Sequence, residues 1–259
     1  MRASGVSVRL GHSEILHGID FAARPGEVTA IVGPNGSGKT TFLRTLTGDL
    51  RHSGAITLNG RDIAGQRPWE LAAQRAVLQQ ATQLAFPFTV IEVVRLGQMA
   101  GAGAGSDDVP VAALSRVGLA GFADRFVAEL SGGEQQRVHL ARVLTQVWQP
   151  VADGAARWLL LDEPVASLDI GHQLQVMEIA RTYARAGGGV VAVMHDLNLT
   201  AMFADRVALF QSGRIVAEGP PRTVMREAVL SRAYGCPLRP NRTPAADIPY
   251  LLPQAAGIA

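Results

Sequence analysis

The sequence predicts an α/β fold: buried strands and helices around a glycine-rich turn, an antiparallel β layer at the front, and a mostly helical insert. Three observations carry that expectation. A short apolar strand within residues 27–41 runs straight into a glycine-rich turn and then a helix start. Two further apolar runs, residues 157–164 and 189–194, lead into Asp162-Glu163 and His195-Asp196. Near the front, residues 55–61 run as a strand into Asn59-Gly60, a strong hairpin signal.

The first element to justify is the turn. Residues 33–41 read Gly-Pro-Asn-Gly-Ser-Gly-Lys-Thr-Thr and fit G-x-x-x-x-G-K-[ST]. Glycines let the backbone curl so that successive N–H groups face an anion. The helix that begins near Gly38 adds unpaired N–H groups and the positive end of its dipole. Lys39 has the reach for β- and γ-phosphates, and the Thr40 hydroxyl is placed for Mg²⁺. The plain alternative, a glycine turn with a solvated lysine, does not need both the apolar strand before it and the helix after it.

Along the rest of the chain, residues 6–10 and 15–21 read as strands, the first with apolar–polar alternation. Residues 24–27 form a turn. The helix after the phosphate loop extends to about Thr47, where Gly48 stops it. Residues 69–78 read as a helix running into an extended piece that ends at Gln79-Gln80. Pro87, between Phe86 and Phe88, forbids a regular helix. Helical spacing returns over 90–98 and 109–117, separated by a flexible, solvated loop at 101–108. The stretch 82–150 is therefore expected to be a helical insert. Residues 206–210 and 214–217 form a hairpin across 211–213, and residues 239–259, rich in proline and alanine, are expected to be a loosely packed tail.

Ser131 and Glu134 have the spacing of a capping box. As a lone motif this marks only a well-capped helix. Gly132 and Gly133, however, weaken a first turn, and a second anion site at a helix N-terminus would explain them. Asp162 fits a Mg²⁺-holding carboxylate. Glu163, the next residue, points elsewhere and can polarise an attacking water as general base. His195 occupies the corresponding place after another apolar strand, at the edge where open α/β sheets bind ligands. Asp196 reads as the N-cap of the following helix.

Composition narrows the partners. The 259 residues carry a net charge of +2 without a basic block, which gives no argument for nucleic acid. The single cysteine, Cys236, excludes an intrachain disulfide. Residues 1–5 lead into no apolar signal-peptide region, and no run approaches the ~18 apolar residues of a membrane span. Any role at a membrane is expected to run through a partner.

With these residues assembled, the sequence resembles the ATP-binding cassette subunits of ABC transporters over residues 2–238, in the family's motif order: 33–41 as Walker A, Gln80 as the Q-loop glutamine, 130–135 as the signature, 159–163 as Walker B, 167–169 as the D-loop, and His195 as the switch histidine. The resemblance implies a P-loop NTPase cassette with a RecA-like core and a head-to-tail homodimer with two ATP molecules at its interface. Each ATP would lie between Gly33, Pro34, Asn35, Gly36, Ser37, Gly38, Lys39, Thr40 and Thr41 of one copy and Ser131, Gly132 and Gly133 of the other, with Asp169 beside it. Thr40, Gln80 and Asp162 would hold Mg²⁺, and Glu163, His195 and Gln80 would serve catalysis. Two copies of a transmembrane permease would complete the transporter, with this chain peripheral at the cytoplasmic face of the inner membrane.

Residues 84–94, Leu-Ala-Phe-Pro-Phe-Thr-Val-Ile-Glu-Val-Val, resemble the segment of importers of heme, cobalamin and ferric siderophores. The extended spacer at 146–157 is similar to that of hemin-import ATP-binding subunits, which implies hemin as cargo, delivered by a periplasmic hemin-binding protein through the permease. Cobalamin or a ferric siderophore is the alternative; an exporter ATPase or a soluble nucleotide switch ranks lower. Leu10 stands where the family often carries an aromatic residue that stacks on adenine, so Leu10 or His12 would make the base contact.

Overall fold

The structure is a computed structural model and describes residues 1–80, 86–101, 106–243 and 249–255. Alternation near the front yields β1 (Arg2–Leu10) and β2 (Ser13–Ala22), paired antiparallel. The continuous apolar run that follows becomes β3 (Val28–Val32), buried at all five positions. It hands the chain through the glycine-rich loop to α1 (Lys39–Leu46). Gly48 stops that helix with φ of 74°. The Gly48 N–H donates to Thr45 O and the Asp49 N–H to Arg44 O, the paired bonds of a Schellman cap. Strand β4 (Ser53–Leu58) turns through Asn59-Gly60, both at positive φ, into β5 (Arg61–Asp62). The antiparallel layer is ordered β2-β1-β4-β5.

Residues 69–78 depart from expectation. The helix there, α2 (Pro68–Ala72), is short, and Arg75–Leu78 is a true strand, β6, paired parallel with a strand farther along the chain. Three helices then dominate the described part of the segment expected to be helical: α3 (Val90–Ala100), α4 (Asp108–Arg116) and α5 (Gly132–Gln146). Helices α3 and α5 touch backbone to backbone at Gly97, where a Cβ would lie 1.8 Å from Arg142 O. Leu84-Ala85 of the importer-like segment, residues 102–105 of the expected loop, and residues 244–248 and 256–259 of the tail lie outside the described residues.

The spacer before the second apolar run folds as a small hairpin, β7 (Val151–Ala152) with β8 (Ala155–Ala156). The remainder alternates strand and helix: β9 (Trp158–Asp162), α6 (Ile170–Arg185), β10 (Gly189–Val193), α7 (Leu197–Phe203), β11 (Arg206–Gln211), β12 (Arg214–Gly219), α8 (Pro221–Val224) and α9 (Glu227–Tyr234). The main sheet is ordered β12-β11-β3-β10-β9-β6, parallel except for the β11–β12 hairpin. Covered on both faces, its central strands β3, β9 and β10 are buried at every position and largely apolar rather than alternating.

One face packs on the antiparallel layer and α1, where Phe42 meets Phe21 and Phe210 with ring centroids 5.2 Å apart in each pair. The other packs on α5, α6 and α7. Each fully buried side chain of this kind contributes about 1.5–3 kcal/mol, so the sheet is a rigid platform for whatever its loops carry. The 3₁₀ turn at Pro253–Ala255 lies against α7, with Gln254 Nε2 donating to Asn198 Oδ1 at 3.4 Å. No helix among the described residues is long and apolar enough to cross a membrane.

Candidate functional site

Register brings three strand ends to one edge. Val193 of β10 pairs with Ile31 of β3 and with Asp162 of β9, so the loops leaving these strands begin side by side with Gly33, Glu163 and Met194-His195. The Gly33 turn is pressed against β11: a Cβ at Gly33 would lie 2.2 Å from Phe210 O, and its φ is 149°. The β11–β12 turn props the other side of the loop, its Gly213 N–H donating to Ser37 O at 3.0 Å. Lys39 Nζ, at the start of α1, donates to Gly33 O (2.8 Å) and Pro34 O (3.0 Å). Burial pushes the lysine's pKa down, opposed by the Glu163 and Asp162 carboxylates. Its ammonium is thus held over the loop by carbonyls weaker than a phosphate as partners.

Beside the loop, Thr40 Oγ1 donates to Asp162 Oδ1 at 3.3 Å. Burial pushes the Asp162 carboxyl's pKa up. The Thr40 bond opposes that shift, and the neighbouring Glu163 charge adds to it. Glu163 leaves the strand at φ of 52°, which turns its side chain away from that of Asp162. Both of its carboxylate oxygens are engaged: Gln80 Nε2 donates to Oε2 at 2.8 Å, and His195 Nε2 lies 2.6 Å from Oε1. Gln136 Nε2, from α5, donates to the Glu163 carbonyl at 3.1 Å and fixes the turn from behind.

A cavity of about 700 Å³ joins these groups. It is lined by Asn35, Gly36, Ser37, Gly38, Lys39, Thr40 and Thr41 of the loop, by Gln80, Glu163 and His195, and by Leu10 and Ile15 from β1 and β2. Of the two side chains considered for a base contact, Leu10 faces the cavity and His12 is not among its lining residues.

Ser131, Gly132, Gly133 and Asp169 do not line that cavity. Ser131 caps α5 through the expected box: Glu134 Oε2 accepts from Ser131 N at 2.8 Å and from Ser131 Oγ at 2.7 Å. Space beyond Gly132 is open, whereas Gly133 packs on Leu168 and Ser167. Asp169 caps α6, accepting from His172 N at 3.0 Å, with His172 Nδ1 2.8 Å from its other oxygen. Asp196 caps α7, accepting from Asn198 N and Leu199 N. Three contributors escaped the sequence reading: Ile15, Gln136 and Gly213. Only a non-local contact marks each of them.

A phosphate loop with its lysine, a threonine–aspartate oxygen pair and a carboxylate poised at the cavity define a nucleotide-binding P-loop protein. Residues 16–166 match the family described as ABC transporter. The hemin import ATP-binding protein HmuV of Roseobacter denitrificans is 65% identical over 254 residues, 98% of this chain and 97% of that protein. The protein of the same description from Jannaschia sp. is 61% identical over 256 residues, covering 99% and 95%. A solved structure of an ATP-binding subunit of an ABC transporter shares the fold, with a TM-score of 0.77 at 24% identity over 88% of this chain and 93% of that one. The chain belongs to the ABC transporter family, among its ATP-binding subunits.

Proposed function

We propose that this chain is the ATP-hydrolysing subunit of an importer that carries hemin inward through a partner permease. The observation that carries the ATPase reading is the Glu163 carboxylate, held by Gln80 and His195 at the phosphate-loop cavity. The cargo rests on relatives described as hemin import proteins and aligned over nearly their whole length.

In this reading the loop N–H groups and the N-terminus of α1 bind the β- and γ-phosphates. Lys39 exchanges its two carbonyl partners for phosphate oxygens. Thr40 and Asp162, an oxygen-only pair, suit Mg²⁺, with Gln80 as a further ligand. Among the described residues no group of three His, Cys, Asp or Glu side chains could hold a metal, as fits an ion held by one carboxylate, a hydroxyl and an amide with its shell completed by phosphates and water. Bound there, Mg²⁺ supplies charge neutralisation on the phosphate oxygens. Glu163 accepts a proton from water as the water oxygen bonds to the γ-phosphorus and the bond to the β-phosphate oxygen breaks, giving ADP and phosphate. His195 holds that carboxylate in place, and Gln80 links it to the Q-loop.

Ser131, Gly132 and Gly133 sit outside the cavity of their own chain with the α5 N-terminus open at Gly132. This supports a head-to-tail homodimer in which they close the ATP site of the other copy, with Asp169 at the same seam. Residues 2–238 then form the ATP-binding domain with 82–150 as its helical insert, and 239–259 the tail. Two permease copies, a periplasmic hemin-binding protein reached through them, and a peripheral place at the cytoplasmic face of the inner membrane complete the assembly.

The test is ATPase activity of the chain reconstituted with its permease and substrate-binding protein, with hemin, cobalamin or a ferric siderophore added in turn. Stimulation by hemin alone is expected. Stimulation by another cargo overturns the hemin assignment, and no stimulation by any of the three overturns the importer.

A further inference from the structure

A second cavity, of about 620 Å³, opens where the ends of α4 and α5 meet one side of α6. Leu144, Trp148, Leu174, Ile179 and Tyr183 give it a largely apolar wall. It shares no residue with the phosphate-loop cavity, nor does it include Ser131, Gly132, Gly133 or Asp169. Concave, mostly apolar spaces of this size with a few placed polar groups are the usual form of small-molecule sites.

The polar groups on that wall are committed to partners, with one exception. Gln175 Nε2 donates to Arg116 O at 3.1 Å and closes the end of α4. The Tyr183 hydroxyl donates to Val147 O at 3.1 Å, just past α5. Glu178 pairs with Arg181, and the Thr182 hydroxyl donates to Glu178 Oε1 at 3.5 Å. The exception is the Arg116 guanidinium, which lies over the Trp148 ring, 4.2 Å from its centroid. Among the described residues no oxygen accepts from its N–H donors and no carboxylate pairs with it. The wall holds no histidine, cysteine or methionine, so it has no soft ligand to offer a metal and meets an apolar body by shape alone.

We propose that this cleft binds a small carboxylate with an apolar body, the body against Leu144, Leu174 and Ile179 and the carboxylate on Arg116. A guanidinium fits a carboxylate through two parallel N–H···O bonds. Covering the apolar wall adds the hydrophobic term. Neither ATP nor the transported cargo is needed to fill it.

The experiment titrates the full-length chain with 1-pyrenebutyrate, followed by its own fluorescence, and with its neutral counterpart 1-pyrenebutanol. One pyrenebutyrate is expected per chain, bound about tenfold or more tighter than the alcohol. Arg116→Gln should remove that preference by weakening the acid and leaving the alcohol unchanged. Arg116 is exposed, so this variant keeps its fold. Leu174→Trp, which fills the cleft, should abolish binding of both while trinitrophenyl-ATP still binds. Displacement of the pyrene acid by palmitate supports the site with an acyl chain as its body, and failure of palmitate to displace it supports the site with a planar ring. An acid that binds no better than the alcohol, a preference that survives Arg116→Gln, pyrene binding unchanged in Leu174→Trp, or no saturable binding overturns the proposal.

Discussion

Replacing Gly33 with alanine tests the packing that shapes the phosphate loop. The new Cβ would lie 2.2 Å from Phe210 O and 3.0 Å from Ser37 Oγ, at φ of 149°. Phe210 is fully buried in β11, so its carbonyl cannot retreat without disturbing the β3–β11 ladder. Overpacking costs about 1–3 kcal/mol and the disfavoured backbone about 1–3 kcal/mol more, together roughly 2–6 kcal/mol. At about 2 °C per kcal/mol for a chain of this size, Tm should fall by roughly 4–12 °C. Gly36→Ala is the control: its φ is 73°, but nothing lies within 4 Å of the added carbon. Only the left-handed backbone cost of about 1–2 kcal/mol remains, a loss of roughly 2–4 °C. The assay is thermal unfolding of both variants without nucleotide. Equal losses, or a Gly33→Ala protein that melts with the parent, would refute the argument that Phe210 sets the loop.

Two further outcomes follow from buried ionisable groups. His139 on α5 is 6% exposed and its Nδ1 has no partner among the described residues; burial, with Arg142 adding, holds its pKa down at about 4. The unfolded chain takes the proton below about 6.5 and the folded chain only near 4, so stability present above pH 6.5 is lost as pH falls toward 4, by up to about 3 kcal/mol. Denaturant melts of His139→Leu across that range should show a shallower acid limb, and an unchanged limb would contradict the assignment. Asp162→Asn should cut Mg²⁺-dependent hydrolysis by about a hundredfold or more. Because burial disfavours the Asp162 charge, Tm without nucleotide should hold or rise; a lower Tm with normal turnover would contradict both roles.

Legibility in the sequence followed locality. The strand–loop–helix at 28–46 reads directly because positive-φ glycines and a buried apolar run determine it without distant help. The Ser131–Glu134 box, the Asp196 cap and the β11–β12 hairpin are local in the same way. Residues 75–78 are not: Arg-Ala-Val-Leu is locally as good a helix as a strand, and pairing with β9, 83 residues on, decides the matter. Helix α6 carries legible spacing at Val176, Met177, Ala180, Tyr183 and Ala184, and Asp169, expected only as a D-loop residue, proves to be its N-cap. Thr89 and Glu92 likewise form a capping box that the neighbouring Pro87 overshadowed. In the site, residue types were legible and geometry was not: Gln80 and His195 reach one carboxylate from 83 and 32 residues away.

The most direct measurement is phosphate release by Glu163→Gln, with its assembly state read in the same ATP solution. Glutamine keeps the shape of the side chain but cannot take the water's proton. The account predicts a dimer that forms with ATP and persists, with turnover reduced by about 10²–10⁴. Near-normal phosphate release by that variant would contradict Glu163 as the base and with it the hydrolytic mechanism.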